Sequence, residues 1–402
     1  MTRFLYILLG IVIVGGIAFG AWWYLFTPTP PAQTTGTGFG SGAPVVQVTP
    51  TGQSTSGTQA PNSTASVQQK VFRVGNGPIV GATVVQYTRP TTTVARYVQQ
   101  NNGHVFDLVL DSSGALPKAI SNTTIPGVAR ALWTKKGEGV ILQYLDGNTV
   151  KTVSLSFPPQ QSTSTAAVGI KFLPDGIADI VVSPSGGSVA YLLRTQTGMR
   201  GYIAGADGSA SRELFTLPLK EVSITWPAES RILAYSKPMV GVPGVAFSIT
   251  TSAGAVVPLL HASGLSVAAD PAYTYLLYQT SAGTSPSTYV RTLSTGGNTG
   301  LSFDPAPERC VWGSMATTTL YCATSLQYVP PNYQTAWHLG TADAPEAIIA
   351  YTFPGGRSTI VTSPGSDEGG VASTIDTLSV DASGKYILFV RRGDRSLWGV
   401  RL

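Results

Sequence analysis

The chain has 402 residues, of which 43% are hydrophobic and only 11% charged, with a formal net charge of +5. Soluble globular chains carry about 25% charged residues, and here Lys and Arg are scattered singly. With no block of like charge there is no electrostatic footprint for nucleic acid and no basic phosphate-binding surface.

The first segment, Phe4 to Phe26, is 23 residues of apolar sequence, and no charged side chain occurs from Phe4 to Gln69. A helix of that length crosses a hydrocarbon core of about 30 Å, and Trp22, Trp23 and Tyr24 fall where an interfacial aromatic belt sits. The segment is expected to be a single transmembrane signal anchor (1–26). The rival reading is a cleaved signal peptide ending near Ala18-Phe19-Gly20, which would leave an apolar new terminus. Arg3 and the amino terminus are the only nearby positive charges, which points the short N-terminus to the cytoplasm and the remainder outside the cell membrane.

Residues 27–69 are mostly Thr, Ser, Gly, Pro and Gln, a composition that buries too little apolar surface to offset its ordering entropy. They are expected to be a flexible tether with a mean span of about 35 Å. "GTGFGSG" within it and "GNGPIVG" (Gly75 to Gly81) imitate glycine-rich phosphate loops. Neither lies between a strand and a helix, as such a loop requires.

From residue 70 onward the sequence repeats. "VVSPSGGSVAYLL" (181–193) reads as strand, tight turn, strand, and related hairpins place their turns at Pro90, Lys135, Pro184, Pro227, Pro271, Met315 and Ala382, at spacings of 45, 49, 43, 44, 44 and 67 residues. Between them lie further strand pairs such as "RGYIAGADGSASRELFTL" and "TAWHLGTADAPEAIIA", with Gly, Asp and Ser at the turns. Four short antiparallel strands every ~45 residues predict an all-β chain, a seven-bladed β-propeller over 70–402. The seventh hairpin is followed by one strand only, ending at Leu402, so "KVFRV" (Lys70 to Val74) is expected to supply the missing outer strand. Helix-period patterning is absent after residue 27.

"SPSGGSVAYLL" and "ADGSASRELF" (Ala206 to Phe215) resemble the WD40-like, TolB-type propeller repeat, in which Ser-Pro-Asp-Gly precedes an Ile-Ala-Tyr strand and Asp-Gly-Ser follows the third strand. The resemblance implies a propeller and no functional residue. Ser185 replaces the consensus Asp, and anchor and tether stand in place of the N-terminal α/β domain of TolB proteins.

Chemical motifs are sparse. His104, His261 and His338 lie in different blades without metal-type spacing, no strict Gly-x-Ser-x-Gly occurs, and Asp367 and Glu368 read as a solvated loop pair. "RGD" at Arg392 to Asp394 falls where a turn is needed. No cofactor is implied. Cys310 and Cys322 flank a hairpin and, in a symmetric register, face one another within disulfide range; one residue of slip would leave them as buried thiols. An exported domain meets oxidants, which favours the bond. Long connections gather on one side of the ring: 236–246, 279–288, 324–334 and an insertion at 353–373, with only short turns expected opposite. Tyr328, Pro330, Pro331, Tyr333 and Trp337 are rigid apolar groups of the kind enriched at interfaces, so this side of blades four to six is the candidate binding surface, with a core position at the start of a strand as the alternative for Trp337. Two functions remain: a cell-envelope module binding a protein or glycan partner, or an extracytoplasmic hydrolase or lyase with active residues gathered from several blades.

Overall fold

Each repeat is one sheet. In the computed structural model the described residues are 70–402, apart from 89–90, 113, 135–136, 159–167, 283–284, 314–317, 331, 343, 355–356 and 364–373. The expected anchor (1–26) and tether (27–69), and the pair Asp367 and Glu368, therefore lie outside the described residues. No helix among the described residues is long and apolar enough to cross a membrane.

Seven four-stranded antiparallel sheets follow one another, over residues 79–121, 128–172, 177–217, 222–263, 266–300, 310–362 and 375–401. Six take their strands in simple order. The seventh holds only three, and its outer place is filled by Val71–Gly75, hydrogen-bonded antiparallel to Leu397–Arg401. The closing strand matches the outer strand of blade three in detail. Phe72 lies across Gly399, where a Cβ would come within 2.5 Å of its ring, as Phe215 lies across Gly201, at 2.3 Å. A ring laid over a cross-strand glycine covers backbone that has no side chain to pack.

The turns show why the repeat takes this form. Ser183, Asp270 and Asp381 hold equivalent positions, and three residues later Gly186, Tyr273 and Gly384 all have φ between 55° and 73°. In each turn the later amide donates to the earlier carbonyl, at 2.8, 2.9 and 3.0 Å. The buried carboxylates of Asp270 and Asp381 also accept the amides that open the second strand, from Tyr275 at 2.6 Å and Tyr386 at 2.8 Å. Tyr273, a bulky residue in the left-handed region, is held by a 2.7 Å bond from its hydroxyl to Ser248 Oγ.

The core is divided among the blade interfaces. Seven apolar clusters occur among the described residues, one between each adjacent pair: Val98 with Val140 between blades one and two, Ile232 with Leu192 between three and four, Ile387 with Ile348 between six and seven. Fully burying one such side chain is worth about 1.5–3 kcal/mol. Blades one and two are also joined by charge. Buried Arg96 makes two 2.7 Å bonds to Asp107 within blade one and reaches Gly137 O of blade two at 2.6 Å.

Two expectations need correction. "TAWHLG" is not a strand: Tyr333–His338 form a short helix within the second-to-third-strand connection of blade six, residues 326–345. Six residues are too few to give a 3.6-residue period, and tertiary contacts rather than propensity hold them. The segment 353–373 is not simply an insertion, because Arg357–Thr362 is the outer strand of blade six; extra length in the 67-residue spacing lies instead at 326–345.

Cys310 and Cys322 are directly paired in register, with Cα atoms 4.1 Å apart and Sγ atoms 2.05 Å apart. They join the two inner strands of blade six beside the interface with blade five.

Two outcomes follow. Gly399→Ala, which drives a Cβ into the Phe72 ring, should lower unfolding stability by about 1–3 kcal/mol, the usual cost of overpacking, read from the denaturant midpoint. Replacing both cysteines by Ala should cost about 2–4 kcal/mol in the same measurement, and a wild-type chain treated with reductant should lose a similar amount.

Candidate functional site

Between blades five and six the connections leave a cavity of about 280 Å³. Blade five contributes Gln279, at the end of its second strand, and Pro286 from the loop after it. The crossing between the blades contributes Phe303, Asp304 and Arg309, and the 326–345 connection contributes Tyr328, Tyr333 and Trp337.

The short helix is seated on the ring by polar anchors at each of its turns. Tyr333 donates to Glu346 Oε1 at 2.9 Å, and Gln334 reaches Glu308 Oε1 at 3.4 Å. His338 Nε2 lies 2.9 Å from the same Glu308 oxygen. Glu346 in turn pairs with buried Arg309 and accepts the Ile375 amide of blade seven at 2.8 Å. Two guanidinium groups lie over the Trp337 ring, Arg309 at 5.0 Å and Arg392 at 4.6 Å from its centroid, a doubled cation–π arrangement. Arg392 also donates to Trp337 O at 2.9 Å and to Asp376 Oδ1 at 3.2 Å. The "RGD" stretch is thus a turn between two strands of blade seven, and its arginine is engaged in the fold.

These contacts set the local electrostatics. Burial, reinforced by Glu346, pushes the Tyr333 hydroxyl up to about 12. Burial alone would raise the Glu308 carboxyl, but hydrogen bonding and charge from His338, with the Ser266 hydroxyl, hold it below the usual carboxylate range. Asp304 is different. Burial raises it, its Oδ1 accepts the Thr288 amide at 2.7 Å, and among the described residues no Lys, Arg or His pairs with it. Four lining side chains carry a buried polar atom without a partner: Gln279 Oε1, Gln334 Oε1, Arg309 Nε and Trp337 Nε1. The amide orientations are fixed, because Gln279 Nε2 donates to Asp304 O at 3.0 Å and Gln334 Nε2 to a carboxylate. Both Oε1 atoms are therefore acceptors.

The structure brings Tyr328, Tyr333 and Trp337 to one cavity. Tyr328 is 80% exposed at its rim, whereas Tyr333 and Trp337 are half-buried and built into the wall. Pro330 is exposed on the same connection, outside the lining, and Pro331 lies outside the described residues. Trp337 is neither a strand residue nor core. Gln279, Asp304, Arg309 and Gln334 escaped sequence reasoning. One signal was present: "DPAPER" (304–309) gathers three charged residues in six positions of a chain that is 11% charged. Of the histidines, His104 Nε2 is 3.2 Å from Thr124 Oγ1, His261 lies on the outer strand of blade four, and His338 pairs with Glu308. Among the described residues no group of three or more His, Cys, Asp or Glu could hold a metal ion.

No family model matches the chain, and no curated protein does. Solved structures do. An oligogalacturonate lyase in complex with manganese is similar at a TM-score of 0.50 and 12% identity over 82% of this chain and 98% of that one. The tricorn protease is similar at a TM-score of 0.53 and 9% identity over 84% of this chain, which spans about a third (34%) of the protease. TolB from Acinetobacter baumannii matches at a TM-score of 0.36 and 11% identity, over 80% of this chain and 63% of that one. At such identities the likeness is one of fold. The seven four-stranded blades are the architecture that the TolB-type repeat implied.

A pH dependence follows from Glu308. Its folded-state value is depressed below the ordinary 4.5, so its stabilising contribution is complete above that pH and is lost as the pH falls through the folded value. His338→Gln removes the main opposing influence and leaves burial, which raises the carboxyl. Urea midpoints at pH 4 and pH 7 should then show the wild type gaining more stability toward neutral pH than the variant.

Proposed function

We propose that the protein is an extracytoplasmic binding or scaffold module of the cell envelope. Residues 4–26 anchor it in the membrane, residues 27–69 hold it away from the surface, and the cavity between blades five and six takes part of a protein or glycan partner. The observation that carries this reading is the cavity itself: a concave, aromatic-walled space with a few fixed polar groups, the usual character of a ligand site. Its rim residue, Tyr328, is a large apolar group left 80% exposed.

Binding is favoured over turnover by how the lining is committed. Acid–base hydrolysis or elimination needs at least two groups free to move protons beside a substrate. Among the described lining residues Asp304 is the one carboxylate, and Arg309 and Tyr333 are both bonded to Glu346. The disulfide of blade six suits an oxidising compartment outside the cytoplasm.

The test is partner capture by the full chain from envelope extracts. Tyr328→Ala should leave the melting temperature within about 1–2 °C, as exposed positions generally do, while reducing capture at least tenfold. Normal capture would place the site elsewhere. Tyr333→Ala is a poorer probe, because it also removes the bond to Glu346. Protease added to intact spheroplasts should degrade the propeller; survival until lysis would refute the proposed orientation.

A further inference from the structure

The charge of the cavity lining is unbalanced. Arg309 is matched by Glu346, and its face is covered by the Trp337 ring. Asp304 is matched by nothing charged among the described residues, although Phe303, Tyr328, Val329 and Pro286 crowd the same cavity with apolar surface. Asp304 is an exposed residue, and the apolar surface beside it still desolvates its carboxyl enough to raise it. Such a group gains most from a cation that arrives with its own apolar stem.

Gln279, buried and fixed by its bond to Asp304 O, and Gln334, fixed by Glu308, keep their unpartnered oxygens buried behind the lining. An ammonium has three donors and no acceptor, so it fits the one carboxylate of the lining, with which no Lys, Arg or His among the described residues pairs. Tyr328 and Tyr333 supply aromatic surface that attracts a cation and covers methylenes. The two unpartnered donors, Arg309 Nε and Trp337 Nε1, belong to the guanidinium–indole stack.

We propose that this cavity recognises a basic side chain, a lysine or arginine presented by a partner protein, with the cationic head at Asp304 and the aliphatic stem between Tyr328 and Phe303. The assignment rests on the binding role proposed above and narrows its partner to a protein with an exposed basic residue.

The test uses saturation-transfer NMR on the full chain, in a buffer free of primary amines, with n-butylammonium and 1-butanol as probes of equal length. Transfer to butylammonium should exceed transfer to butanol at least fivefold. In Asp304→Asn, which keeps an acceptor for the Thr288 amide, it should fall to the butanol level, and in Tyr328→Ala it should fall for both probes. The tripeptide Gly-Lys-Gly should give transfer at least equal to butylammonium. Equal transfer to the two probes, or an unchanged signal in Asp304→Asn, overturns the assignment. Butylammonium binding without tripeptide binding also overturns it, by making a free amine the ligand. If Tyr328→Ala loses partner capture while the probes fail to discriminate, the binding role stands and only the cation falls.

Discussion

The structure depends on one constraint: a four-stranded sheet with two apolar faces and no second layer of its own must be covered by another sheet. Seven copies satisfy this by covering one another, and seven apolar clusters, one for each blade interface, are the result. The arrangement works only if the ring has no end, since an open ring would expose one face of its first blade and one of its last. Closure falls to Val71–Gly75, paired with Leu397–Arg401. Polar bonds between blades, such as Arg96 to Gly137 O or Glu346 to the Ile375 amide, fix how neighbouring sheets are set against one another.

Against that regular background blade six departs from the pattern. Its second-to-third-strand connection is longer than a turn requires, and part of the surplus is folded as a helix beside the cavity shared with blade five. Helix and ring are joined by groups otherwise scarce in this chain: Glu308, Arg309, Glu346, His338 and Arg392 account for much of the contact. Charge has been concentrated at the one junction that apolar packing between sheets does not make.

The architecture could be read from the sequence because a propeller advertises itself through spacing. The turn residues recur because each turn needs an acceptor at Ser183, Asp270 or Asp381 and a left-handed residue three positions on, and strand exchange at closure was implied by the missing last strand. The seating of 326–345 could not be read, because its helix is shorter than the period that would reveal it, and because its anchors come from strands far away in sequence. Three aromatic members of the cavity, Tyr328, Tyr333 and Trp337, stood out by composition. Their polar neighbours Gln279, Asp304 and Gln334 did not, since a single Gln or Asp in a loop carries no pattern. The bulges that open the inner strands of blades one, two, three and seven, at Ile79/Gly81, Val128/Arg130, Ile177/Asp179 and Ile375/Thr377, were equally silent.

The closing strand has a mechanical meaning as well as a topological one. Val71 is where the preceding chain enters the ring, so any pull transmitted along that chain reaches Val71–Gly75 before any other strand. The strand's hydrogen bonds to Leu397–Arg401 and the Phe72–Gly399 contact are what such a pull has to break. Val71–Gly75 is thus both the seam of the ring and the strand by which the chain enters it, so loosening that strand and opening the ring are one event.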